Sequence, residues 1–248
     1  MVSTPPAVLI VQPMADDGPA FLTTWLQEQG IAFQLVRVFA GDTVPRSAAG
    51  WRGVVMLGGA MSVNDDLPFL HDAEALLRDA VHRCVPVLGH CLGGQMLARA
   101  LGAATTDNPV PEVGWAHIDL ADQALARDWL GDVASGTAEP LPVFQWHYQT
   151  FALPAGATLL ASNAACAHQA FAFGPHLGMQ FHIEVDAEKL NRWCAEAPAS
   201  ALADAHHASV QDEARMRADT HRLLASSQAT ARRIYARWWS LAQAAVGV

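Results

Sequence analysis

Val85-Pro86-Val87-Leu88-Gly89-His90-Cys91-Leu92-Gly93-Gly94-Gln95 is the stretch that decides the fold. Residues 85–88 are a short apolar run and predict a buried strand. Residues 95–101 predict a helix. Between them lies Gly-x-Cys-x-Gly, the pattern of a tight strand-to-helix turn. The glycines are needed because such a turn crowds the backbone and leaves no room for a Cβ. The turn lifts Cys91 to the end of the sheet, where its sulfur faces the positive end of the following helix. The Leu92 N–H points at the same space and could stabilise an oxyanion. The competing reading is a buried structural cysteine after a strand.

On the N-terminal side of this turn the pattern repeats. Apolar runs at 7–11, 32–39 and 53–57 predict strands. Residues 19–29 have helical spacing. Residues 69–83 predict an amphipathic helix, with Leu70, Ala73, Leu76, Leu77 and Ala80 on one face. Strands alternating with helices argue for an α/β fold, a doubly wound, mostly parallel sheet with helices on both faces. Between 113 and 180 the chain changes character. Short runs at 116–120, 142–146, 158–162, 169–173 and 178–181 are separated by Gly, Pro, Asn and Asp, which predicts a small β meander added to the sheet. Beyond Asp186 the pattern is helical again, with Ile234, Trp238 and Leu241 as a buried stripe on a last helix. Residues 197–209, rich in Ala and His, read as a connector. The expected division is a catalytic domain over 1–196 and a helical extension over 197–248 packed on it.

The 248 residues are 52% hydrophobic, ample for one core of this size. The net charge of −9 with only 16% charged residues argues against nucleic acid and membrane surfaces as partners. Lys189 is the only lysine. It lies between Glu188 and Leu190, so no Gly-Lys-Ser/Thr phosphate loop exists. Its place on a polar helix start also argues against Schiff-base chemistry. Cys84, Cys91, Cys166 and Cys194 are scattered and form no Cys-x-x-Cys pair, so no zinc knuckle or redox dithiol is expected. No metal or other cofactor is expected. His206, His207 and His221 match no ligand spacing and read as a solvated face. No basic leader or run of about 18 apolar residues is present, so the expected compartment is the cytoplasm.

Two further pieces carry chemistry. In Gln180-Phe181-His182-Ile183-Glu184, strand alternation puts His182 and Glu184 on one side of the backbone. Glu184 can then orient the imidazole while its other nitrogen serves a nucleophile, the logic of a triad. Gly58-Gly59 follows a strand end, where bare backbone N–H groups can approach a ligand; a flexible turn is the equal alternative.

Together these motifs resemble the class I glutamine amidotransferases, closest to stand-alone members similar to the glutaminase domain of GMP synthase. The resemblance runs from about Val54 to Val185. It implies a flavodoxin-like sheet and a Cys-His-Glu triad of Cys91, His182 and Glu184. It also implies oxyanion donors at Gly59 and Leu92, beside Gly58, and Gln95 holding the amino-acid end of glutamine. Trp146-His147-Tyr148-Gln149 stands where members carry a pocket-lining segment, which makes Tyr148 and Gln149 candidate substrate contacts. Glu112-Val113-Gly114-Trp115 is similar to a structural segment opening the β insertion. Three positions depart from the family pattern: His90 replaces an apolar residue, Gly94 replaces a common His, and Ile183 replaces a common Pro. His90 reads as packed behind the turn. The implied substrate is a γ-glutamyl amide, glutamine above all. Residues 186–248 are too few for a synthase domain. Either a synthase on a separate chain takes up the ammonia, or the chain hydrolyses γ-glutamyl amides alone. A redox-sensing module built on a reactive elbow cysteine is the reading from another class.

Overall fold

Val8–Gln12 (β1) is buried along its whole length. A strand with both faces covered belongs inside a sheet, not at its edge. In the computed structural model, which describes residues 7–121, 124–131, 141–196 and 206–244, β1 pairs in parallel with Phe33–Arg37 (β2) and Gly53–Met56 (β3). β3 pairs with Val87–His90 (β4), and β4 with His176–Met179 (β9), again in parallel. From β9 the sheet continues in antiparallel pairings through Ala170–Phe173 (β8), Thr158–Ser162 (β7), Thr105–Leu120 (β5) and Leu141–Phe151 (β6). The order is β2-β1-β3-β4-β9-β8-β7-β5-β6. Its first half is the flavodoxin-like arrangement, whose ligands bind beyond the carboxyl ends of the parallel strands.

The helices Phe21–Glu28 (α1), Pro68–His82 (α2), Leu92–Ala100 (α3), Ala124–Leu130 (α4), Ala187–Glu196 (α5) and Glu213–Ala244 (α6) cover the sheet. Alternation along β1 divides the core between the two faces. Val8 and Ile10 pack with Trp25 of α1, Trp129 of α4 and Trp238 of α6. Leu9 and Val11 pack with Leu76 of α2 and Met96 of α3. A third core lies under the β5–β6 hairpin, where Trp115 and Phe144 meet Leu190 and Trp193 of α5 and Met216 and Leu223 of α6.

The structure differs from the sequence reading in three places. Helix α3 starts at Leu92, immediately after the cysteine, rather than at 95. The runs at 116–120 and 142–146 are parts of one long hairpin. Its strand β5 passes Pro109 and Pro111 through a register shift between Asp107 and Glu112, a bulge that spares the ladder the missing N–H groups. Helix α4 was not expected: its seven residues bury Ala126, Trp129 and Leu130, too short a stripe to stand out as periodicity. Of the expected connector 197–209, residues 197–205 lie outside the described residues. Among the described residues no helix is long and apolar enough to cross a membrane.

Candidate active site

Three strand ends converge on one cleft. β4 ends at His90, and Cys91 follows with φ 49° and ψ −111°, a backbone conformation rare for a residue with a side chain. Two bonds hold it: the Cys91 N–H donates to the Met179 carbonyl of β9 at 2.9 Å, and the Gln95 N–H donates to the Cys91 carbonyl at 3.0 Å. The turn closes only over glycine. A Cβ at Gly93 would lie 2.0 Å from the Met56 carbonyl oxygen of β3. One at Gly89 would lie 2.5 Å from the Gly93 carbonyl oxygen. The same close approach packs the start of α3 against the sheet, with Cys91 at its N-terminus lining the cleft.

Past β9 the chain bends at Gln180 and Phe181 and meets β6 through a bridge between His182 and Phe144. The Gln180 N–H donates to Gln169 and the His182 N–H to Phe144, each at 2.8 Å. Phe181, Ile183 and Val185 are buried in apolar cores, which turns Gln180, His182 and Glu184 to the other side. His182 Nδ1 donates to Glu184 Oε1 at 2.6 Å. His182 and Cys91 open on the same cavity. Burial alone would lower the imidazole pKa. The Glu184 carboxylate and a hydrogen bond with Cys91 outweigh it and hold His182 up at about 10, so the ring carries its second proton at neutral pH. The Glu184 carboxyl is held well below the ordinary carboxylate range against its own burial, chiefly by the Lys189 ammonium and then by His182.

Lys189 adds to the sequence reading. It stands at the start of α5 as expected, yet its side chain is only 1% exposed, which the sequence did not signal. Asp186 caps α5 by accepting the Lys189 N–H at 2.8 Å. The ammonium then reaches inward, donating to Glu184 Oε1 at 2.8 Å, Asp17 Oδ1 at 2.5 Å and the Gly18 carbonyl at 2.9 Å. A row of groups, Asp17–Lys189–Glu184–His182, therefore runs up to Cys91. His90 is fully buried behind the turn, its Nε2 3.7 Å from Glu184 Oε2, beyond hydrogen-bond reach. Desolvation pulls its pKa down to about 4, so it is neutral at pH 7.

The cleft has two lobes that share Gly59, Ala60, Cys91 and Trp146. One, about 510 Å³, is lined by polar side chains including Ser62, Gln95, Asp107 and Gln149, with Tyr148 at its exposed side. Its groups are bonded to one another. Ser62 Oγ donates to Gln149 Oε1 at 2.8 Å, Gln149 Nε2 to Asp107 Oδ1 at 3.2 Å, and Gln95 Nε2 to the Gln149 carbonyl at 3.1 Å. The other lobe, about 320 Å³, takes in His182 and is walled by Met14, Trp146 and Trp193 with Asp16 and Asp17. Gly58 lines neither lobe. It is buried where a Cβ would meet Asp17 Oδ2 at 2.2 Å and His182 Cε1 at 2.9 Å, so its lack of a side chain makes room for the imidazole.

Glu112 is buried beneath the polar lobe, where it accepts from Asn163, Gln169 and His147 at 2.7–2.9 Å and ties the hairpin together. Among the described residues, Glu112–His147–Cys166 and Asp17–His182–Glu184 are close enough to share a cation. In the first, hydrogen bonds occupy the Glu112 carboxylate; in the second, the Lys189 ammonium bonds Asp17 Oδ1 and Glu184 Oε1, while Glu184 Oε2 has no hydrogen-bond partner among the described residues. The sequence reading missed Asp17, Gln180, Lys189 and Trp193. Gln180, which directs Nε2 at Cys91 Sγ from 3.8 Å, was signalled by its place two residues before His182. Asp17 gave no local signal.

Residues 21–193 match the family described as glutamine amidotransferase class-I. The chain is similar to the glutamine amidotransferase-like protein YfeJ of Salmonella typhimurium, 32% identical over 171 residues that cover 66% of this chain and 70% of that protein. It is 27% identical over 170 residues to a glutamine-hydrolysing GMP synthase subunit of Thermoplasma volcanium, covering 67% of this chain and 78% of that protein. The crystal structure of a glutamine amido transferase from Methylobacillus flagellatus superimposes with a TM-score of 0.89 at 38% identity, covering 96% of both chains.

Proposed function

Starting from the fact that the chain belongs to the class I glutamine amidotransferase family, we propose that it cleaves the γ-carboxamide of glutamine-type substrates through a thioester on Cys91. The observation that carries this reading is that Cys91, on a strained turn at the start of α3, shares one cavity with His182, whose Nδ1 is held by Glu184 at 2.6 Å.

The sulfur of Cys91, its proton passed to His182, attacks the γ-carbonyl carbon. The carbonyl π electrons move to oxygen, and the N–H groups of Leu92 and Gly59 receive the oxyanion. His182, protonated at neutral pH, gives its proton to the departing nitrogen as the C–N bond breaks. Ammonia or an amine leaves, and a γ-glutamyl thioester remains. Water, deprotonated by the now neutral His182, adds to the thioester. The C–S bond breaks, glutamate departs and the sulfur is restored. Glu184 keeps His182 oriented, and Gln95, Tyr148 and Gln149 are the proposed contacts for the amino-acid end in the polar lobe. No step needs a metal or an organic cofactor.

Delivery of the ammonia to a synthase on a separate chain is a second reading, supported by the similarity to a protein named as one subunit of a GMP synthase. The four cysteines are free, which supports a reducing compartment such as the cytoplasm. The test of the core proposal is a γ-glutamyl diazoketone followed by peptide mapping, alongside glutamate release. We expect stoichiometric labelling of Cys91 and no turnover in Cys91→Ala. A label on another residue, or a Cys91→Ala protein that still turns over, overturns the assignment.

A further inference from the structure

The two lobes of the cleft carry different side chains apart from the few they share, and Cys91 lies where they meet. A carbonyl carbon bonded to the sulfur has two other carbon-side directions to fill, the glutamyl chain and the departing nitrogen. The polar lobe, with Gln95, Asp107 and Gln149, suits an ammonium and a carboxylate. The nitrogen must lie toward His182, the proton donor, and His182 belongs to the other lobe alone. That lobe measures about 320 Å³, whereas ammonia needs roughly the 30 Å³ that one water takes in the liquid. Its walls carry Met14, Trp146 and Trp193 beside Asp16 and Asp17. Trp146 and Trp193 meet edge to face at 5.7 Å, and Trp193 meets the His182 ring edge to face at 5.0 Å. Trp193 is fixed by its own N–H, which donates to the Asp16 carbonyl at 3.0 Å. A preformed slot bounded by indoles beside the proton donor accepts a flat apolar group.

We propose that this lobe is a leaving-group subsite and that the chain prefers γ-glutamyl amides whose nitrogen carries an aromatic group over glutamine itself. The proposal rests on the thioester reading above. It predicts an amine product that keeps the proton from His182.

The test is glutamate release by the whole chain from L-glutamine, γ-L-glutamyl methylamide and γ-L-glutamyl benzylamide. We expect kcat/KM to rise along this series, reaching at least tenfold above glutamine for the benzylamide. In Met14→Trp, which fills the lobe, the benzylamide-to-glutamine ratio should fall at least tenfold. Taking the ratio cancels any loss common to both substrates. Glutamine turned over as well as or better than the benzylamide, with Cys91 still labelled by the diazoketone, would overturn the subsite and leave the thioester reading standing; the lobe would then serve ammonia or a partner. No glutamate from any substrate, with Cys91 unlabelled, would overturn both.

Discussion

Cys91 and Lys189 show how single residues are held in costly states for chemistry. The left-handed backbone at Cys91 costs on the order of 1–3 kcal/mol, and close contacts with β3 and β9 keep it in place. Lys189 sits between two buried carboxylates, Asp17 and Glu184. Burial would strip its proton, but the two carboxylates raise its pKa instead. Removing the ammonium leaves both carboxylates buried with too little opposite charge. Lys189→Met should therefore cost about 3–5 kcal/mol by chemical denaturation. The Glu184 pKa should also rise, which would show as an acid limb of the kcat/KM profile moved toward neutral pH. An unmoved limb with normal stability would show that Lys189 does not position Glu184. Gly93, whose Cβ would strike the Met56 carbonyl, was readable in sequence as a turn glycine. Lys189 was not, because nothing local says that α5 turns its first turn inward.

At the scale of elements, α6 docks on the sheet through a buried stripe that includes Ile234, Tyr235 and Trp238. Trp238 is fully buried, and Gly53 in β3 exists as glycine because a Cβ there would lie 2.5 Å from the Trp238 ring. Polar ends add less: Arg237 pairs with Asp128 of α4 at 2.5 Å, half in solvent. Trp238→Ala should cost about 3–5 kcal/mol. Gly53→Ala should also destabilise the wild type, but much less in a Trp238→Ala background, where the clash is gone. A double-mutant cycle should return a coupling of at least about 1 kcal/mol; strict additivity would mean that the two residues do not share this contact. The stripe of Ile234, Trp238 and Leu241 was legible from helical spacing, whereas the partner of Trp238 was not. Nor was the 16-residue reach of β5, since Pro109 and Pro111 argue locally against a strand and only the bulge opposite β6 accommodates them.

For the whole molecule, buried imidazoles set the pH range of stability. His90 and His176 are held near pKa 4, in both cases chiefly by desolvation, against about 6.5 in the unfolded chain. Between pH 6.5 and 4 the unfolded state binds protons that the folded state refuses, so stability falls on acidification, by roughly 3 kcal/mol for each histidine. His182 acts in the opposite sense. Its raised pKa of about 10 gives stability that is complete below pH 6.5 and is lost as pH rises toward 10. Urea midpoints should therefore peak near neutral pH and fall on both sides. His176→Gln should flatten the acid side, and a stability that climbs steadily from pH 4 to 10 would contradict the assignment.

By itself the amino-acid sequence determined the alternating strands and helices, the turn that presents Cys91, and the His-x-Glu pair. Each of these depends on neighbours a few residues apart, through pleat alternation, helical spacing and the need for glycine where backbones touch. The tertiary structure alone decided what stands around them. It set Asp17 and Lys189, 172 positions apart in the chain, behind Glu184, and brought Met14, Trp146 and Trp193 together around one lobe of the cleft. Those meetings follow from strand order and helix docking, where the burial of many distant apolar side chains fixes positions that no local preference encodes.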